Sequence, residues 1–261
     1  MENKAIPFPS SCSANDARFD YANQLREANH PLQGRILYWL GSSVTEGSGA
    51  DGQSMADYLA AKTGCICKKE AVSGTTFFED GHQDSYAARL QHSRIFDPAN
   101  DQIAGFLCQI STNDCKRSNL AKRGIMSAED VFDSSSFDIK TTLGAIEFII
   151  AYVNERFHCP IYFFSGAYFG DGFQKGKRQN PDPKGSEYGK LVDQVKAIAK
   201  KWNAKDSVEV RVIDLFHDEA FNALASAEYY AWAMNDPIHP TKAGYLQWWT
   251  PYFEARLLQD L

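Results

Sequence analysis

No apolar run in this chain approaches the roughly 18 residues that a helix needs to cross a bilayer, so nothing in it reads as a membrane span. Positive charge is also in short supply: 27 Lys and Arg stand against 33 Asp and Glu, a formal net charge of −6. Without an overall basic field, nucleic acid is not an expected partner. The opening, MENKAIPFPSSC, has one Lys and then prolines but no apolar h-region, so it is not a secretory signal and the expectation is a cytoplasmic protein. Internal repeats, low-complexity tracts and Pro-, Gly- or Ser-rich linkers are missing, so nothing splits the 261 residues into separate domains. The cysteines Cys12, Cys65, Cys67, Cys108, Cys115 and Cys159 are scattered and make no disulfide framework. Cys65 and Cys67 would point the same way from a strand, yet no second cluster completes a metal site.

What is present is ordinary for a globular domain: 44% hydrophobic and 23% charged residues. Five short apolar runs stand out, Ile36 to Leu40, Ile66 to Val72, Gly105 to Ile110, Ile161 to Phe164 and Val208 to Leu215. The first, third and fourth are nearly continuous, as strands covered on both faces must be. Helical stripes alternate with them: Leu143, Ile146, Ile150, Val153 and Phe157, then Leu191, Val195, Ile198 and Trp202. That alternation predicts an α/β fold with a parallel sheet wrapped by helices. The reading is one domain overall: residues 1–34 as an arm with a helix near Ala17 to Ala28, packed on a body of 35–261. Two connections are long, Cys115 to about Asp138 and Ala167 to about Ser186. Both follow strands and should leave the carboxyl edge of the sheet, where such folds bind ligands. Lys116, Arg117, Lys122 and Arg123 in the first, and Lys175, Lys177, Arg178 and Lys184 in the second, suggest a basic rim, weighed against ordinary solvated charge.

Four blocks carry chemistry. The first strand runs into Gly41-Ser42-Ser43-Val44-Thr45-Glu46-Gly47, which puts a hydroxyl on a tight turn; alone, such a segment could equally be a phosphate loop or a plain turn. Near the C-terminus stands Asn235-Asp236-Pro237-Ile238-His239-Pro240. A serine hydroxyl needs a base to take its proton, histidine suits that task, and a carboxylate fixes the imidazole tautomer. Asp236 and His239, three apart on a proline-stiffened loop, can present both side chains on one side. Val72-Ser73-Gly74 and Ser111-Thr112-Asn113-Asp114 follow the second and third strands. A glycine permits close backbone approach, and an asparagine amide can donate to a developing oxyanion.

Together, Ser43, Gly74, Asn113 and His239 resemble the four blocks of the SGNH (GDSL-type) hydrolase family, in the same order and from residue 41 to residue 240. The resemblance implies a three-layer α/β/α, flavodoxin-like fold on a five-stranded parallel sheet. It implies a Ser43–His239–Asp236 triad and an oxyanion hole made by the N–H groups of Ser43 and Gly74 with the Asn113 amide. It implies no metal and no cofactor. The expected substrate is a small acyl ester, with acetyl groups and acetylated sugars favoured. Two positions depart from the family pattern: Ser42 stands for the usual Asp, and Ser111 for the usual Gly.

The remaining features read as structural. His82, His92, His158 and His217 lack a partner pattern, and Asp214 ends the fifth strand. Tyr229, Tyr230, Trp232, Trp248 and Trp249 read as core, with a sugar-stacking wall as the alternative for the first three. Pro251 should interrupt or restart the last helix. Two other classes are weighed against the hydrolase: a flavodoxin-like nucleotide or flavin binder, and an inactive binding module on the same fold.

Overall fold

Five strands pair side by side, all parallel, in the spatial order β2-β1-β3-β4-β5. They are β1 (Ile36–Gly41), β2 (Ile66–Ala71), β3 (Ile103–Gln109), β4 (Ile161–Phe164) and β5 (Val210–Ile213). The helices are α1 (Ser43–Glu46), α2 (Met55–Thr63), α3 (Tyr86–His92), α4 (Thr142–Arg156), α5 (Glu187–Asn203), α6 (Glu219–Ala223), α7 (Ala227–Ala233), α8 (Lys242–Gly244) and α9 (Thr250–Asp260), with a π-helical turn at Tyr245–Trp249. The computed structural model describes residues 6–9, 11–168, 186–205 and 208–260.

Burial follows from the alternation of side chains along each strand. Tyr38, Leu40, Phe106, Cys108 and Phe163 face α3, α4 and α5, where Leu90, Ile146, Ile150, Leu191, Val195 and Trp202 close one core. Leu37, Trp39, Leu107, Tyr162 and Phe164 face the opposite layer and pack on Met55, Leu59, Trp249, Phe253 and Leu257. The two stripes foreseen in the sequence are therefore the buried faces of α4 and α5, and the three-layer fold is the expected one. The edge strand β2 is the polar one: Lys68, Lys69 and Glu70 sit in it half-buried, and charge on an edge discourages strand-to-strand association.

Helix starts are set locally. Thr141 and Ser186 accept the N–H groups of Gly144 and Gly189 to cap α4 and α5. A capping box of Ser54 and Asp57 opens α2. Pro251 sits in the first turn of α9, directly after the π-helical turn, so the last helix restarts where the proline lacks an N–H.

One element departs from expectation. There is no helix over Ala17 to Ala28, only two 3₁₀ turns, Ala17–Phe19 and Tyr21–Asn23. Asp20 between them is extended (ψ 139°), and Leu25 is 90% exposed. Of its large apolar side chains only Phe19 is buried, while Tyr21 and Leu25 stand exposed, so a short helix here would gain too little from packing to form. The arm is held by single contacts instead. Tyr58 donates to the Phe19 carbonyl, Trp232 donates to that of Cys12, and Asn15 bridges the Gly49 carbonyl and the Lys242 N–H.

The first long connection does leave the carboxyl edge, but it then lies along α4 and α5. Ser127 bonds the Glu147 carboxylate, Ser134 bonds Glu155, and Arg123 donates to Gln194 and to the Glu187 carbonyl. Arg123 is thus a clamp, while Lys116, Arg117 and Lys122 remain exposed. Nearly all of the second connection, with its basic residues, lies outside the described residues.

Candidate active site

β1 and β3 end level with one another, because Leu40 pairs with Cys108. The strand order reverses at β1, so the carboxyl ends of β1 and β3 flank the crevice where doubly wound sheets take ligands. Ser43 begins α1 just past β1, and Asn113 lies in the 3₁₀ turn Thr112–Cys115 just past β3.

The loop after α7 brings in the remaining groups. It is closed by a bridge between Met234 and Pro240 and by the Asn235 N–H on the His239 carbonyl. Asp236 Oδ1 accepts the N–H groups of Ile238 and His239 at 2.8 and 2.9 Å, and its Oδ2 accepts from His239 Nδ1 at 2.7 Å. With the Nδ1 proton held there, Nε2 is the free lone pair, and it accepts from the Ser43 hydroxyl at 2.7 Å. Burial alone would push the Asp236 carboxyl up. The bonds from the His239 ring and the two backbone N–H groups outweigh it and hold the group below the usual carboxylate range. Gly49 lets this loop come close: a Cβ there would meet the Pro240 carbonyl oxygen at 2.5 Å and the His239 Cβ at 2.9 Å.

Gly74 has φ +84°, the left-handed region that favours glycine. Neither its N–H nor that of Ser43 has a partner among the described residues. Asn113 Nδ2 donates one hydrogen to the Thr75 carbonyl at 3.0 Å, leaving the second without a partner among the described residues. Ser111, which stands for the usual Gly of the pattern, donates its hydroxyl to that same carbonyl at 3.0 Å and accepts the Asn113 N–H. It therefore ties the Gly74 loop to the Asn113 turn. Asp114 makes a third tie, accepting the Phe77 N–H and the Thr142 hydroxyl at 3.1 and 2.9 Å. Complete burial pushes its carboxyl up to about 7 against the lowering effect of those bonds.

Three features were not legible in the sequence. Gln109, the last residue of β3, bonds the turn that holds Ser43. Glu46 accepts the hydroxyls of Ser48 and Ser73, which places a carboxylate next to the Gly74 turn. His217, read as lacking a partner pattern, places Nδ1 2.9 Å from Asp214 Oδ2 in a second Asp-x-x-His arrangement. Among the described residues that pair holds no nucleophile: Asp214 also takes Lys196, and the nearby Ser165 hydroxyl points at Asp214, at 3.4 Å, rather than at the ring. It lines a cavity of about 460 Å³ beside β5.

Among the described residues, one group of metal-ligand types converges, Glu27, His30 and Glu254. There the His30 Nδ1 accepts the Leu32 N–H, so Nε2 carries the proton toward Glu254, and Lys62 supplies the cation to both carboxylates. Cys65 and Cys67 lie with their sulfurs 3.5 Å apart as free thiols. Tyr229, Tyr230, Trp248 and Trp249 are buried in the core and Trp232 packs half-buried against it.

No family model matches the sequence, and a search of curated proteins finds no relative. Solved structures do match. A protein from Lactobacillus plantarum superposes with a TM-score of 0.62 at 20% identity, over 88% of this chain and 99% of that one. A family two carbohydrate esterase from Clostridium thermocellum, solved with cellohexaose, gives 0.56 at 13% identity, over 91% of this chain and 67% of the other. A GDSL-like lipase from Bacteroides ovatus gives 0.50 at 14% identity, over 87% and 99%. At such identities the likeness shows the fold alone: this chain shares its parallel five-stranded α/β architecture with folds that include a carbohydrate esterase and a GDSL-like lipase.

Proposed function

We propose that the chain is a serine ester hydrolase of the SGNH type, acting on short acyl esters, with acetyl groups on carbohydrates as the favoured substrate class. The observation that carries this is the unbroken chain from Ser43 Oγ through His239 to Asp236, with 2.7 Å at each link. In the first step Ser43 Oγ bonds to the acyl carbon while its proton passes to His239 Nε2. The carbonyl oxygen becomes an oxyanion, and the Ser43 and Gly74 N–H groups and the spare Asn113 hydrogen are the donors assigned to it. Collapse breaks the ester C–O bond, and the Nε2 proton goes to the leaving alcohol. Water then bonds to the acyl carbon, giving a proton to Nε2; the bond from that carbon to Ser43 Oγ breaks, Nε2 returns the proton to Oγ, and the acid leaves. Asp236, held ionised, stabilises the imidazolium formed in both steps.

The esterase carrying a sugar ligand among the similar folds favours carbohydrate esters, though that ligand belongs to its own protein. A nucleotide- or flavin-cradling role is disfavoured by the loop after β1, two of whose N–H groups are already taken by Gln109. An inactive binding module is disfavoured by the intact relay. Steady-state hydrolysis of p-nitrophenyl acetate and a panel of acetylated sugars tests the reading. Turnover by wild type that vanishes in His239→Ala is expected; turnover retained in that variant would overturn it.

A further inference from the structure

We propose that Gln109 is a positioning residue for the nucleophile, fixing the turn that carries Ser43 and deciding which backbone N–H groups of that turn stay free. The inference rests on the esterase reading of Ser43. A helical turn starts with four N–H groups that lack intrahelical partners, here those of Ser42, Ser43, Val44 and Thr45. Usually the residue before the helix covers some of them with its own side chain. Ser42 makes no such bond. The cover comes instead from β3, across 67 residues of sequence.

Gln109 is 2% exposed. Its Oε1 accepts the Ser42 and Thr45 N–H groups, each at 3.0 Å, and the Thr45 hydroxyl at 2.8 Å. Its Nε2 donates to Ser42 Oγ at 3.0 Å, so the serine that stands for the usual Asp is the partner of this amide. Two of the four N–H groups are thereby consumed, and those of Ser43 and Val44 are left without partners among the described residues. The Ser43 N–H is the one the mechanism assigns to the oxyanion. The packing is closed sterically as well: a Cβ on Gly41 would lie 1.9 Å from Thr45 Oγ1 and 2.9 Å from Gln109 Oε1.

The amide is chemically suited to this place. It both accepts and donates, and it carries no charge. A carboxylate would keep the acceptor, lose the donor to Ser42, and bring negative charge to the turn where ester hydrolysis itself develops a negative oxygen.

The test compares wild type with Gln109→Leu and Gln109→Glu. Readouts are kcat and KM on p-nitrophenyl acetate across pH, the rate of Ser43 labelling by a fluorophosphonate, and thermal melts. For folded Gln109→Leu, kcat and labelling should fall by roughly 10²-fold with KM nearly unchanged, the cost of misplacing a reacting group by about an ångström. For Gln109→Glu, the ratio of its kcat to that of wild type should drop as pH rises and the new carboxyl ionises. A merely structural role would not produce that pH-dependent ratio. If Gln109→Leu does not fold, Gln109→Glu carries the test. A folded variant with kcat within about threefold of wild type, or a pH-independent ratio for Gln109→Glu, overturns the proposal. Wild type that neither labels nor turns over ester overturns the esterase reading and this inference together. Active wild type with an equally active Gln109→Leu overturns this inference alone.

Discussion

Ser43 and His239 are 196 residues apart in the chain, yet the serine hydroxyl donates to the imidazole Nε2 at 2.7 Å. Each is placed by a different constraint. Ser43 is the first residue of a turn forced by the end of a buried strand, and His239 is held by a loop closed on both flanks.

Asp236 fixes which ring nitrogen carries the proton. Asp236→Asn preserves shape but can donate to Nδ1, which favours the wrong tautomer, and kcat should fall by roughly 10³–10⁴. Because the Asp236 carboxyl lies below the usual range, it stays ionised above pH 5 and contributes no limb to the activity profile there. Steady-state kinetics on Asp236→Asn check the role, and kcat close to that of wild type in a folded variant would contradict it.

Asn113 has two jobs that mutation can separate. Asn113→Ala removes the tie to the Thr75 carbonyl and the spare donor, so both melting temperature and kcat should fall, kcat by roughly 10²–10³. Ser111→Gly removes a tie to the same carbonyl and the acceptor of the Asn113 N–H but no oxyanion donor, and its loss should be confined mainly to the melt. Kinetics and melts on both variants distinguish the donor from the tether. Equal kcat losses in the two would show that Asn113 acts only by holding the loop.

Asp114 links stability to pH with a definite sign. Its carboxyl sits at about 7 in the fold, above its ordinary range, because burial disfavours the charge. The native state then binds more protons than the unfolded one between the two values. Its contribution is full below the ordinary carboxylate range and is lost as pH rises through about 7. Asp114→Asn can still accept from Phe77 and bond Thr142, so its melting temperature should fall less than that of wild type between pH 5 and 8. Parallel melting curves for the two proteins would contradict this origin.

The central strands were readable because they are covered on both faces and so run apolar without a break. β5 is shorter than its apolar run, Val210–Ile213 rather than Val208 to Leu215, since Leu215 is buried in the core without pairing. The arm was misread as a helix because polar spacing alone does not reveal that Asp20 halts the turn. The relay residues were visible because Asp236 and His239 are local to each other. Gln109 was not, since its partners are 64 and 67 residues away. The available signal was one polar residue inside the apolar segment Phe106 to Ile110. His30 was missed for the same reason, its partner Glu254 being 224 residues away. His217 was missed although Asp214 stands three residues before it, at the same spacing as Asp236 and His239.

The most direct measurement is the intact mass of wild type and Ser43→Ala after treatment with a fluorophosphonate probe. A nucleophile activated as described takes one phosphonate adduct in wild type and none in Ser43→Ala, with labelling lost also in His239→Ala. Adducts of equal extent on wild type and Ser43→Ala, or none on well-folded wild type, would contradict the assignment of Ser43.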